Sequence, residues 1–131
     1  MPATHPESGL AIVPVTVTGS SGSHVFRAEV AASQEAQSRG LMFRTALGPD
    51  EAMIFPREER PAPARFWMKN TPIPLDIIFI GPDRRIANIA AMTVPYSLDG
   101  VESQGIAIAV LEIAGGRAAE LGIVPGDKVE W

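Results

Sequence analysis

From His24 to Val30 apolar and polar residues alternate with a period of two: Phe26, Ala28 and Val30 fall on one side, Val25, Arg27 and Glu29 on the other. That is the pattern of a strand with one buried face. Leu10 to Thr18 is rich in β-branched residues, and the Gly19-Ser20-Ser21-Gly22-Ser23 stretch between the two segments predicts a hairpin. Pro14 cannot donate to a ladder, so it predicts an edge or bulged position for the first strand. Further along the alternation gives way to continuous apolar runs. Ala52 to Phe55 suits a buried strand, Leu75 to Ile80 is apolar except for Asp76, and Gly105 to Ile113 is the clearest buried strand of all, interrupted only by Glu112.

Between these runs the punctuation is legible. Ser33 is a fitting N-cap for a helix over Gln34 to Arg39, with Glu35 in the first turn where a negative charge suits the helix dipole. Arg117 to Leu121 predicts a second short helix closed by Gly122. Pro56 to Ala64 combines three prolines with several charges and is expected to cross the surface as a mobile loop or lid. Arg65 to Lys69, Arg85 to Met92 and Lys128 to Trp131 complete the expected strands. Together these predict an α+β fold, mainly an antiparallel β barrel or sandwich of about seven or eight short strands with two short helices. Residues 1–9 read as a flexible tail and 10–131 as a single domain.

The 131 residues, 46% of them hydrophobic, suffice to bury one core. Eleven Lys and Arg against 15 Asp and Glu give a net charge of −4, which argues against a sequence-independent hold on nucleic acid. Cysteine is absent, which excludes disulfides, thiol nucleophiles and thiolate metal sites. No apolar run is long enough to cross a bilayer. Met1 to Gly9 carries no export signal; the protein is expected in the periplasm or outside the cell if such a signal has been removed, and in the cytoplasm otherwise.

The most informative stretch is Arg65-Phe66-Trp67-Met68-Lys69-Asn70-Thr71-Pro72-Ile73-Pro74-Leu75-Asp76. Two prolines fix φ and withhold two backbone donors, so the chain after Asn70 is expected to form a stiff turn. Trp67 and Lys69, two apart, share a face if they lie on a strand. The expected site therefore has Trp67 as a platform, Lys69 and Asn70 as donors and Asp76 as the group that orients Lys69, joined by Arg39 and Arg44, whose guanidinium groups suit a carboxylate or phosphate. The competing structural reading pairs Lys69 with Asp76, buries Trp67 in the core and leaves Arg39 to neutralise its helix end. Glu112 is expected on a solvated face. Neither His5 nor His24 has partners at metal-ligand spacing, and the methionines sit in apolar runs as gap fillers, so no metal site and no cofactor are expected.

Arg39-Gly40-Leu41-Met42-Phe43-Arg44, Phe66-Trp67-Met68-Lys69-Asn70-Thr71, Ile73-Pro74-Leu75-Asp76, Leu111-Glu112-Ile113-Ala114-Gly115 and Glu120-Leu121-Gly122-Ile123 with Gly126-Asp127 together resemble the bacterial and archaeal family called domain of unknown function 192. The resemblance spans about Phe26 to Val129 and implies a small β-rich domain, often exported, with no established substrate. Where that family usually reads Gly-Met-Leu-Phe, this chain has Ala52-Met53-Ile54-Phe55, which predicts an altered turn there. Three functions are compatible with these residues: a non-catalytic envelope-associated module binding a small anionic or sugar-like ligand, a hydrolase using Asp76 or Glu112 with Lys69, and a docking domain for another envelope protein.

Overall fold

The computed structural model describes residues 3–131. They form β1 (Ile12–Gly19), β2 (Gly22–Val30), α1 (Gln34–Arg39), β3 (Glu51–Pro56), β4 (Ala62–Phe66), β5 (Leu75–Ile80), β6 (Ile86–Ala90), β7 (Val101–Ala107), β8 (Ala109–Ala114), α2 (Arg117–Leu121) and β9 (Lys128–Glu130). Seven strands make one sheet in the order β6-β5-β8-β3-β2-β1-β9, and β4 pairs with β7 in a separate ribbon. Only β2 and β3 run parallel; the other pairs are antiparallel. Arg85 bridges Lys128, and the Val129 N–H donates to the Arg84 carbonyl at 2.9 Å. The two ends of the sheet therefore meet, and it curls into a nearly closed barrel, the expected α+β architecture.

The three central strands are covered on both faces. One side of β3, β5 and β8 carries Ala52, Ile54, Ile78, Ile80, Leu111 and Ile113, which fill the barrel with Val15, Val17, Phe26 and Val129. The other side carries Met53, Phe55, Leu75, Ile77, Phe79 and Val110, buried beneath Leu41, Ala64 and Met68. Phe66 of the ribbon stands edge-on to Phe55 at 5.0 Å and to Phe79 at 6.2 Å, so the ribbon caps the outer face of the sheet. Double burial explains why these strands read as unbroken apolar runs, and each fully buried Ile or Phe contributes roughly 1.5–3 kcal/mol.

Several expectations change in detail. The strand β1 is not an edge, because β9 pairs with Thr16 to Thr18; Pro14 lies beyond the reach of that short partner, so its missing N–H costs no ladder bond. The tail from Ala3 onward folds back, with the Ile12 N–H donating to the Ala3 carbonyl and the His5 N–H to Leu10. Pro56 to Ala64 is not wholly loop: Ala62 to Ala64 begin β4, pairing with β7 despite Pro63, where the register shifts. Gly105 to Ile113 is two strands, turned at Ile108 from the ribbon into the barrel. Ala52 lies inside β3, fully buried, so no glycine turn is needed there. The helices hold their expected limits, with the Ser33 hydroxyl accepting from the Ala36 N–H at 3.1 Å and Gly122 left-handed at the end of α2.

The proline corner is a stitched turn rather than the end of a strand. The Thr71 N–H donates to the Met68 carbonyl, Phe43 donates to Asn70 at 2.7 Å, Met68 donates to Ser97 and Tyr96 donates to Thr71. Asn70 occupies the left-handed region at φ 55°, the third position of a turn where glycine or asparagine is preferred. Asn70→Ala is accordingly expected to cost about 1–2 kcal/mol of stability in urea denaturation, while Asn70→Gly stays within about 0.5 kcal/mol of wild type. Equal losses from both would remove backbone conformation as the reason for asparagine here.

Candidate functional site

On the outer face of the sheet, between α1, the β4 strand and the proline corner, lies a cleft of about 320 Å³. Its floor is made of buried side chains, Leu41, Phe55, Leu75 and Glu112, and its mouth of exposed ones, Arg39, Arg65, Trp67 and Lys69, with Arg57 half-buried between. Gln37 braces one wall, its amide N–H groups donating to the Ala31 carbonyl at 3.0 Å and the Pro56 carbonyl at 2.8 Å. Gly40 ends α1 at φ 50°, ψ −130°, a conformation essentially restricted to glycine, and so turns the chain to drop Leu41 into the floor.

The cleft is rich in free positive charge. Arg65 pairs with Glu102 at 3.4 Å on the exposed rim, but Arg39, Arg57 and Lys69 make no ion pair with any carboxylate among the described residues. Arg39 lies over the Phe43 ring at 5.5 Å and Lys69 over the Trp67 ring at 5.2 Å, so each cation is held by an aromatic face that leaves its donors free. Trp67 is 48% exposed and lines the cleft. The Arg57 Nε is sealed from solvent and has no hydrogen-bond partner.

Glu112 is the one carboxylate that lines the cleft. It is only 4% exposed, opposite Met53 on one side and Ile77 on the other, and no described group hydrogen-bonds its carboxyl. The expected solvated face fails because β8 is covered on both sides. Burial without a partner disfavours the ionised form and pushes its pKa up to about 8, so at neutral pH the group is mainly the neutral acid.

Of the residues expected at the site, Arg39, Trp67 and Lys69 meet here. Asn70 does not line the cleft; its amide points to the Met42 sulfur at 4.0 Å and its backbone shapes the turn. Arg44 is 6% exposed and is bound to Glu29 through both terminal guanidinium nitrogens, with Glu7 on its Nε at 3.2 Å, so its donors are used in holding residues 41–44 to β2 and the N-terminal segment. Asp76 does not orient Lys69. It lies on the barrel side of β5, fully buried, accepting from the N–H groups of Met92 at 2.9 Å, Gly116 at 3.0 Å and Ala118 at 2.9 Å, which fixes the start of α2. Because Asp76 pairs in register with Ile113, it faces away from Glu112, and a hydrolase built on the two carboxylates has no shared cleft. Arg57 and Arg65 were not expected here, and Glu112, named only for the alternative hydrolase, was expected on a solvated face. Period-two counting along the Gly105 to Ile113 run places Glu112 beside Val110 on a strand apolar on both faces, a signal of burial that a solvated carboxylate does not give.

The model of the family described as "Uncharacterized ACR, COG1430", domain of unknown function 192, matches residues 15–131. The chain belongs to this family. A protein of unknown function from Novosphingobium aromaticivorans DSM 12444 has a crystal structure that is similar at TM-score 0.97 and 62% identity, covering 100% of this chain and 93% of that one. A Sinorhizobium meliloti 1021 protein, described provisionally as a transcription regulator, is similar at TM-score 0.87 and 35% identity, covering 92% of this chain and 94% of that one. No curated protein matches the chain. Among the described residues no helix is long and apolar enough to cross a membrane.

Two outcomes follow from these placements. Removing one partner of a buried ion pair strands the other, so Arg44→Ala is expected to cost on the order of 3–5 kcal/mol in urea denaturation; a loss under about 1 kcal/mol would show that the pair is not holding the fold. Glu112 is held in its protonated form more tightly by the folded chain than by the unfolded one. Its contribution, measured as wild type minus Glu112→Gln, is fully present below about pH 4.5 and is lost as pH rises through about 8. Urea titrations from pH 4 to pH 9 read this directly, and a difference that stays flat with pH would contradict the burial argument.

Proposed function

We propose that the protein is a non-catalytic binding module that takes a small anionic ligand into the cleft between α1, β4 and the proline corner. The observation that carries this reading is the gathering of Arg39, Arg57 and Lys69, none paired with a carboxylate among the described residues, around a concave site with Trp67 at its mouth, on a chain whose net charge is −4. Unpaired guanidinium groups suit carboxylate or phosphate oxygens, an indole suits the apolar side of a ring, and low-dielectric walls concentrate the field of the cations at the opening. A net charge of −4 argues against the sequence-independent hold on nucleic acid that the regulator description of the Sinorhizobium relative would suggest.

Thermal shift with sulfate, citrate, glucose 6-phosphate and neutral glucose tests the reading on wild type, Lys69→Ala and Arg57→Ala. Saturation near 100-fold over Kd adds about 2.7 kcal/mol to stability, so an anion that binds raises Tm in the wild type and has a much smaller effect on either variant. No shift with any anion, or equal shifts in all three proteins, overturns the anion site; a shift with glucose alone makes the ligand a neutral sugar.

A second reading, docking to another protein, is favoured by one feature. Phe43, Trp67, Val94, Tyr96 and Leu98 are all exposed on segments stitched to one another by the hydrogen bonds of the proline corner. Apolar surface gathered in this way marks interaction sites. Pull-down from an envelope extract with wild type and Trp67→Ala distinguishes it: loss of a captured protein in the variant favours docking, and an unchanged profile counts against it.

A further inference from the structure

Resting on the anion reading above, we infer that the ligand is an anion with an apolar, ring-sized body and a hydrogen-bond acceptor at the end remote from its charge, and that the Glu112 carboxyl donates to that acceptor at the floor of the cleft. The cleft is graded from mouth to floor. Exposed charge lies at the mouth, on Arg39, Arg65 and Lys69, with Arg57 half-buried below it, whereas Leu41, Phe55 and Leu75 at the bottom are buried and apolar. A ligand charged at both ends would leave one charge against hydrocarbon, which is costly. A ligand apolar at its inner end would leave Glu112 unsatisfied.

Two buried polar side chains line the cleft; the Thr71 hydroxyl already donates to the Lys69 carbonyl at 3.2 Å, whereas no described group hydrogen-bonds Glu112. Its oxygens have no hydrogen-bond partner yet are not among the sealed unpartnered atoms, where Arg57 Nε stands alone, so they open on the cleft. The amide N–H groups of Gln37 are already committed to two carbonyls. A buried polar side chain with no partner costs stability, and natural chains keep such groups where a ligand completes them. The charged groups that line the cleft with Glu112 are Arg39 from α1, Arg57 after β3, Arg65 from β4 and Lys69 from the proline corner; its strand neighbours Met53 and Ile77 do not titrate. The three cations of the cleft without an ion pair, Arg39, Arg57 and Lys69, disfavour a ligand ammonium, the other species a carboxyl commonly holds. What remains is an oxygen acceptor such as a carbonyl, received by the neutral acid that burial maintains at neutral pH.

Two permanently ionised probes isolate this bond: 4-acetylbenzenesulfonate, which has a carbonyl opposite its charge, and 4-ethylbenzenesulfonate, which has the same shape without it. Calorimetric titration of the wild type at pH 6 is expected to show the acetyl probe binding roughly tenfold tighter, and the preference should disappear at pH 9. Taking the ratio of the two affinities cancels any change in cation charge that both probes share. Glu112→Leu should bind both probes equally at either pH. Glu112→Gln, which keeps an N–H donor that does not titrate, should hold the preference at both. Equal binding of the two probes to the wild type at pH 6 overturns the inference while leaving the anion site standing; failure of both sulfonates to bind overturns the inference and counts against the anion site as well. A preference that persists in Glu112→Leu assigns acceptor reading to another group and also overturns the inference.

Discussion

The structure depends on burying β3, β5 and β8 on both faces. A barrel wall normally has one dry side and one wet side, but here the outer side carries Met53, Phe55, Ile77, Phe79 and Val110 and must be covered by something outside the barrel. The ribbon of β4 and β7, the helix α1 and the proline corner supply that cover. Phe66 locks the ribbon onto Phe55 and Phe79, and Met68 enters the same layer from the corner. Where the cover is incomplete, between α1 and β4, the cleft remains. Its position is thus a consequence of how a second apolar layer is closed by short elements.

Glu112 acquires its character from the same constraint. On a half-exposed strand it would be an ordinary solvated carboxylate, but on a central strand covered on both faces it sits among hydrocarbon and retains its proton. The acids Glu29 and Asp76 are equally buried yet fully bonded, one to Arg44 and the other to three backbone N–H groups. Comparison of the three separates architecture from the proposed binding role. Glu29 and Asp76 each fasten two parts of the chain together, whereas Glu112 fastens nothing and faces the cleft.

Much of the architecture was legible because local signals agreed with the tertiary outcome. Ser33 before Gln34 and Gly122 after Leu121 set helix limits, and the apolar runs at Leu75 and Ala52 gave the central strands. The pairing of β4 with β7 was hidden by Pro61 and Pro63, which suggest loop, and by Ile108, where a continuous apolar run turns a corner without glycine or proline to mark it. Of the residues expected to gather, Trp67, Lys69 and Arg39 do share the cleft, as their types and the rigid turn suggested. Arg44 and Asp76 lie elsewhere because their partners, Glu29 and the Met92, Gly116 and Ala118 N–H groups, are distant in sequence. Arg57 was assigned to a charged surface stretch, and only the folded chain brings it to the same cleft as Glu112.

The outer layer, incomplete only at the cleft, keeps Glu112 a neutral acid in a site that also holds the cations Arg39, Arg57 and Lys69. Carbon-13 NMR of the side-chain carboxyl, assigned by comparison with Glu112→Gln, reads its ionisation directly in the folded protein without any ligand. The account predicts one glutamate carboxyl that remains protonated through pH 6 and titrates at about 8. A Glu112 resonance that titrates near the ordinary glutamate value of about 4.3 would contradict it, since the carboxyl would then be hydrated at the cleft floor.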